Sequence, residues 1–353
     1  MRLIKQLLVA LVIASLLEGW WSCDGCLENE RNALLQLKAS FNYPERMSLF
    51  SWGLLTDDCC KWENIHCSST TGRVSKLSIR RDYWAFEWCF NASLFLPFQE
   101  LTSLSLRNNH IIDCVENEGF ERLERLSKLE FLDLEYNWFN NKSIVSSIGH
   151  LSSLKSLNLA DNRLESVTDI QGLSSLQNLE FLDLSSNNFN NSIIPLLSVF
   201  SSLKSLTLID NRLENITNFQ ELDALGNLKV LSLRRNQITK VVDSRDIKII
   251  RNLSSLFLDD NNGDGRSSIQ LELLGAYPFL KTLSLMNNSF KGGIFAQEMG
   301  NFSSVEELSL DGSSLDEESF KSLRALPSLK FLSMQGPNAD LPSQGLSMIS
   351  IFK

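Results

Sequence analysis

The sequence predicts an α/β solenoid, a single elongated superhelix of stacked strand-and-turn units. Three observations carry that expectation. Leucine makes up about 18% of the 353 residues, 63 in all. The leucines follow a pattern, L-x-x-L-x-L-x-x-N-x-Φ with Φ apolar, that recurs about every 25 residues. All seven cysteines precede residue 115, so cross-links can staple one end of the chain and not the whole.

Composition narrows the alternatives. Length alone suits two globular domains or one array. With 43% hydrophobic and 21% charged residues, the chain is neither disordered nor a polytopic membrane protein. Acidic residues outnumber basic ones, 42 to 33, for a net charge of −9. A nucleic-acid binder needs a basic face to release counterions, so that class is set aside. Three histidines leave little material for imidazole catalysis or a histidine-rich metal site.

Residues 1–22 read as a secretory signal peptide. Arg2 and Lys5 make the positive end, and Leu7 to Leu17 make an apolar run too short for a bilayer. Cleavage is placed near Gly19 to Ser22. The cysteines, Cys23, Cys26, Cys59, Cys60, Cys67, Cys89 and Cys114, then read as local disulfides in an oxidising compartment. Zinc is the competing reading, but vicinal Cys59-Cys60 lacks the ligand spacing and Cys23-x-x-Cys26 has no second pair. One thiol is left over unless Cys23 departs with the signal peptide or pairs between chains. Seven N-x-S/T sequons, at Asn91, Asn141, Asn190, Asn215, Asn252, Asn287 and Asn301, are N-glycosylation acceptors in that compartment.

The array spans 74–353. Its copies begin at Val74, Leu101, Leu129, Leu154, Leu179, Leu203, Leu228, Leu253, Leu280, Val305 and Leu329. One example is Leu154-Leu157-Leu159-Asn162-Leu164. A 20–29-residue period with this pattern is the leucine-rich repeat. The x-L-x-L-x core alternates with period two, so each copy supplies a short strand with its leucines on one face. One copy cannot bury those leucines; stacked neighbours can. The Asn ends the strand, turns inward and bonds backbone groups of adjacent turns, each such residue being worth about 1–3 kcal/mol. The first copy has Asp82 in the Asn slot, the tenth Ser313 and the last Pro337.

Residues 23–73 form a different unit. Leu34, Leu37 and Phe41 fall on one face of a helix over Leu27 to Phe41. The stretch Asp58-Cys59-Cys60-Lys61-Trp62-Glu63-Asn64-Ile65-His66-Cys67 follows, then Thr71-Gly72-Arg73-Val74 leads into the first strand. This unit resembles the N-terminal cap of plant extracellular leucine-rich-repeat proteins, with its C-x-x-x-E-R-x-A-L-L helix and C-C-x-W-x-G-V-x-C hairpin. Asn64 and Ile65 stand in the Gly-Val slots. The resemblance implies bonds Cys26–Cys59 and Cys60–Cys67; Cys89 and Cys114, around the second strand, form a candidate third pair. The whole is a leucine-rich-repeat superhelix of about eleven plant-type repeats with a disulfide-stapled N-terminal cap.

The chain is most similar to plant receptor-like proteins, which have an extracellular array and a membrane helix but no kinase. Runs such as Leu179-Glu180-Phe181-Leu182-Asp183-Leu184-Ser185-Ser186-Asn187 are typical of them. The plant G-x-I-P element survives partly, at Ser192-Ile193-Ile194-Pro195 and Gly292-Gly293-Ile294-Phe295, so a patchy convex sheet is expected. No cysteine follows residue 114 and the chain stops at Lys353 inside a repeat. A truncated extracellular region is therefore expected, with membrane attachment only through a missing C-terminal segment.

Outward strand positions line the concave face, where packing does not dictate the residue. The candidate ligand-binding residues are Arg80, Arg107, Phe131, Asp133, Glu135, Tyr136, Phe181, Asp183, Arg234, Phe257 and Asp259. Aromatics beside charges suit a peptide or protein ligand. Asn287 beside Asn288 places one sequon at the concave rim, where a glycan would obstruct that end. Asp260-x-Asn262-x-Asp264-Gly265 imitates a calcium loop, but position twelve is Leu271, not Glu. No H-E-x-x-H, G-x-S-x-G, P-loop or kinase set occurs. No catalytic residue, metal or cofactor is expected.

The resemblance implies a non-enzymatic recognition module, secreted or on the outer face of the plasma membrane. It would bind a peptide or protein ligand for defence or development and signal through a co-receptor kinase. The alternative is a secreted inhibitor similar to polygalacturonase-inhibiting proteins, which carry C-terminal cap cysteines and regular G-x-I-P elements that this sequence lacks.

Overall fold

The computed structural model describes residues 26–41, 49, 51–80, 87–139, 146–165, 175–214, 222, 225–238, 252–261, 278–290 and 304–335. The expected signal peptide, the sequons Asn141, Asn215 and Asn301, and the calcium-like stretch after Asn261 lie outside them.

Helix α1, Glu28–Phe41, opens the cap with Ala33, Leu34, Leu37 and Phe41 buried. The hairpin follows, and strand β1, Ile65–Cys67, pairs antiparallel with β2, Val74–Ser78. Both implied disulfides are present: Cys26–Cys59 and Cys60–Cys67, with Cα atoms 5.6 and 5.5 Å apart. Glu30 of α1 is fully buried, yet its carboxylate accepts from Arg73 Nε at 2.7 Å and from Val74 N at 3.0 Å. One charge thus ties the cap helix to the first residue of the array, and it is satisfied on both oxygens. Trp52 and Trp62 stack at 5.9 Å and donate their indole N–H groups to Glu63 O and Thr56 O.

Beyond β2 each repeat contributes one short strand in parallel register. These are β4 (Ser103–Ser105), β6 (Phe131–Asp133), β7 (Ser156–Asn158), β8 (Phe181–Asp183) and β9 (Ser205–Thr207). The series continues with β10 (Val230–Ser232), β11 (Ser255–Phe257), β12 (Thr282–Ser284), β14 (Glu307–Ser309) and β16 (Phe331–Ser333). With β1 and β2 they form a 12-stranded sheet among the described residues. All eleven predicted copies supply a strand. The leucines pair in register, Leu132 with Leu157, Leu157 with Leu182 and Leu182 with Leu206, and all are buried.

The asparagines do what the pattern requires. Asn162 Nδ2 donates to Leu134 O of the preceding repeat and to Leu159 O and Ala160 O of its own, at 3.0–3.1 Å. Its Oδ1 accepts from Phe139 N of the preceding repeat. Asn187, Asn211, Asn236 and Asn261 repeat the arrangement. Where the tenth copy has Ser313, its hydroxyl donates to Leu285 O and accepts from Asn288 N. A hydroxyl therefore replaces one donor and one acceptor of the amide.

Two features differ from expectation. Ile193–Leu197 is a short helix, not a convex strand, because Asn190 and Asn191 carbonyls accept from Ile193 N and Ile194 N and put Ile193, Ile194 and Leu197 on the core side. Residues 292–295 lie outside the described set. Convex pairing occurs instead between β3, Trp88–Phe90, and β5, Ile111–Cys114, and between β13, Ser289–Phe290, and β15, Ser314–Leu315. The second difference is Cys89 and Cys114, which are unbonded. β3 and β5 align Cys89 with Asp113 and Phe90 with Cys114. Side chains alternate along a strand, so the two thiols point to opposite faces. Cys89 is exposed, while burial pushes the Cys114 thiol up to about 12.

The thiolate is the reactive form. Iodoacetamide at pH 8 under native conditions should therefore alkylate Cys89 and leave Cys114 largely intact, with both modified in denaturant, as read by peptide mass spectrometry. A Cys89–Cys114 cross-linked peptide in the same digest would contradict the strand register.

Candidate functional site: the concave face

The concave face is the outward side of the parallel sheet. Each repeat presents three residues there on alternate positions, then a fourth just before the ladder Asn. In repeats three to five these are Phe131, Asp133, Glu135 and Tyr136; Ser156, Asn158, Ala160 and Asp161; and Phe181, Asp183, Ser185 and Ser186.

The fourth position has a backbone constraint that the sequence pattern conceals. Its φ is positive in repeat after repeat: Asn108 57°, Tyr136 57°, Asp161 52°, Ser186 50°, Asp210 54°, Arg235 52°, Asp260 55° and Asn287 54°. In the tenth repeat Gly312 fills it. Asn, Asp and Gly tolerate this region, whereas a bulky side chain is strained there. Tyr136 therefore sits where the backbone favours a smaller residue. Asn287 is exposed, and its Oδ1 lies against Gly312 where a Cβ would sit.

The first concave position carries an exposed ring in repeats three and five, on either side of repeat four. Phe131 is 45% exposed and Phe181 46%, and Tyr136 is 50% exposed on the same surface. Between the phenylalanines lies β7, whose concave residues Ser156, Asn158 and Ala160 are all smaller. The register aligns Phe131, Ser156 and Phe181 in one row and Asp133, Asn158 and Asp183 in the next. The row of rings is thus recessed at Ser156, while Asn158 stands level with Asp133 and Asp183 in the row beside it.

Several carboxylates already have backbone duties. Asp133 Oδ1 accepts from Glu135 N and Asp183 Oδ1 from Ser185 N, two residues on. Asn158 Oδ1 does the same for Ala160 N at 3.0 Å. Asp133 Oδ2 also accepts from Ser105 Oγ. Glu135 pairs with Arg107 at 2.9 Å and accepts from Asn158 Nδ2. Partial burial raises its carboxyl, opposed by the Arg107 charge, with Asp133 and Asp161 adding to the rise.

The remaining predicted residues divide. Arg80 and Arg107 are exposed on the early repeats. Asp259 is a correction: it is only 1% exposed and does not present itself on the face. Its Oδ1 accepts from Ser284 Oγ at 2.6 Å and Met286 N at 2.8 Å, and its Oδ2 lies 2.5 Å from Arg234 Nε. Arg234 also lies 4.4 Å over the Phe257 ring. These three residues contact one another as an ion pair and a cation–π pair. The physical reason is that Asp259 sits where it can bond the next repeat, as Asp311 bonds Ser333 Oγ and Gln335 N. Exposed Phe331, at 66%, extends the aromatic row at the far end.

Of the sequons in described residues, Asn190 and Asn252 are exposed; Asn91 is half-buried and caps a turn through Ser93 N. No group of three or more metal-capable side chains occurs among the described residues.

The fold and cap define a leucine-rich-repeat protein. Comparison with known families agrees: the leucine-rich-repeat N-terminal domain matches residues 27–68, and the leucine-rich repeat matches 178–200. The relatives are plant receptor-like proteins. Cuscuta receptor 1 of Solanum lycopersicum is 42% identical over 141 residues, 38% of this chain and 13% of that protein. Receptor-like protein 9b of Arabidopsis thaliana is 37% identical over 167 residues, 46% and 17% respectively. The matches thus span less than a fifth of these relatives' lengths. Among solved structures, the ectodomain of the Arabidopsis receptor kinase HAESA, with a peptide hormone bound, superposes with a TM-score of 0.60. It is 23% identical and covers 87% of this chain and 49% of that one. A plant ice-binding protein superposes at 0.53 with 20% identity, covering 89% and 99%. These likenesses establish the leucine-rich-repeat fold and a partial similarity to plant receptor-like proteins.

The division between buried and open carboxylates is measurable. Asp259→Ala, which strands Arg234 and two donors, should lower unfolding free energy by on the order of 2–4 kcal/mol. Asp183→Ala should cost less than about 1 kcal/mol. Chemical denaturation of the two variants checks this; equal losses would contradict the assignment of Asp259 to the frame.

Proposed function

We propose that this chain is the extracellular recognition module of a receptor-like protein without kinase. It binds a peptide or protein ligand on its concave face for defence or developmental signalling. The observation that carries the reading is the row of aromatics left open on repeats three to five. Phe131 and Phe181 are about half exposed where serine serves neighbouring repeats, and Tyr136 occupies a left-handed position that suits Asn or Asp better. Neither choice helps the solenoid fold. Exposed aromatics clustered in the middle of a surface suit a binding hot spot.

Supporting this are the plant receptor-like relatives and a structural neighbour whose array holds a peptide hormone. Secretion, glycosylation at the seven sequons and a co-receptor kinase belong to the same proposal. Binding, not catalysis, is the role we assign. Disulfides in the cap suit an oxidising compartment.

A ligand that binds only the folded state raises its melting temperature by mass action. Peptide fractions from plant extracellular fluid should include one that raises the melting temperature of the wild-type chain. The double variant Phe131→Ser and Phe181→Ser should melt normally without ligand and lose that rise. An equal rise in both would place recognition elsewhere. Clear inhibition of a polygalacturonase by the chain would favour the enzyme-inhibitor reading.

A further inference from the structure

We infer that the recess over β7 takes an arginine or lysine side chain of an extended peptide, held between Asp133 and Asp183 and flanked by Phe131 and Phe181. This rests on the concave face being the recognition surface, and it goes further by specifying the ligand's chemistry.

The chain contains this arrangement in filled form. Phe257-Leu258-Asp259 receives Arg234, which lies over the ring at 4.4 Å and meets the carboxylate at 2.5 Å. The same three-residue sequence recurs as Phe131-Leu132-Asp133 and Phe181-Leu182-Asp183, placed two residues earlier in the repeat, so that Asp133 and Asp183 share the row of Phe257. Beside those two copies, the neighbouring strands offer Ser103 and Ser105, Ser156 and Asn158, and Ser205 and Thr207. In each, the ring and the carboxylate are present and the aligned residues of the neighbouring strands are not basic; the repeat position of Arg234 is held in the second repeat by Arg107, which pairs with Glu135.

Charge points the same way. Repeats three to five place four carboxylates on the concave side: Asp133, Glu135, Asp161 and Asp183. Among the described residues, the cation that meets them is Arg107, which is spent on Glu135. Lys155 and Lys204, on the flank, pair with Glu130 and Glu180. The surface is therefore complementary to a cation. Asp183 Oδ1 is used by Ser185 N and its second oxygen is the open acceptor, whereas the Asp133 oxygens already accept from Glu135 N and Ser105 Oγ and meet a cation through their remaining lone pairs.

Dimensions fit as well. Adjacent strands lie about 4.8 Å apart, so β6 and β8 are about 9.6 Å apart across β7. A cation midway is about 5 Å from either wall, inside the ~6 Å reach of cation–π attraction. Small Ser156 leaves depth between the two rings for a long aliphatic stem. A single such side chain would meet two rings and two carboxylates at once.

The test uses a displayed library of random 12-residue peptides selected on the full chain, wild type and variants. Wild type should enrich peptides with arginine or lysine. Replacing that arginine by neutral citrulline in a selected synthetic peptide should weaken binding to wild type at least tenfold. Asp133→Asn with Asp183→Asn should abolish the difference between the two peptides. Asparagine keeps the backbone bond, as Asn158 does, so the variant should melt as wild type. Peptides that bind through Phe131 and Phe181 without arginine or lysine would overturn this inference and leave the recognition reading standing. A library that yields no binder, or binders indifferent to Phe131→Ser with Phe181→Ser, would overturn both.

Discussion

The turns of this solenoid bring backbone polar groups into the core, and the inward asparagines are what satisfy most of them. An unpaired buried amide or carbonyl costs about 1–3 kcal/mol, and among the described residues an inward Asn meets the problem in eight copies and Ser313 in a ninth. Asn187 illustrates the solution, with Nδ2 on Leu159 O and Leu184 O and Oδ1 on Leu164 N. Because each amide reaches the preceding repeat, it fixes the register between turns as well as the turn itself. Leucines then meet leucines, the strands align, and the left-handed residue before each Asn follows as the backbone swings inward. The cap solves the same problem once, at the first strand, with buried Glu30 on Val74 N and Arg73.

Since the asparagines and leucines carry the fold, the concave positions between them are released from packing. They are not released from all duty. Asp133, Asn158 and Asp183 close a bond to the backbone two residues on, and Asp259 and Asp311 bond the next repeat. A carboxylate on this face can therefore be frame or recognition surface, and burial separates the two. Asp259 is enclosed with Arg234 as its counter-ion, whereas Asp183 keeps an outward oxygen. Phe131, Phe181 and Tyr136 have no such second duty, which is why they define the site.

Much of this was legible in the residues. The period-two leucines located all eleven array strands, and the spacing of Leu34, Leu37 and Phe41 located the cap helix. Other features were not, because they depend on neighbours distant in sequence. The Asp259 cluster needs Arg234, 25 residues away, to be recognised as internal. A signal existed in Phe-Leu-Asp preceded by a basic residue one repeat earlier. The facing of Cys89 and Cys114 depends on β3–β5 register, which no periodicity revealed. The aromatic core of the first repeats also escaped notice. Phe90 stacks on Phe120 at 4.1 Å and Phe95 and Phe98 are fully buried. They lie in the variable half of each repeat, where no fixed spacing marks them.

The central claim is that each amide serves the turn before its own. Amide hydrogen exchange on Asn187→Ala tests it residue by residue. The account predicts that exchange quickens at Leu164, whose N–H loses Asn187 Oδ1, while Phe189, bonded to Asn211 Oδ1, stays protected. Unchanged protection at Leu164, or equal loss at both amides, would contradict it.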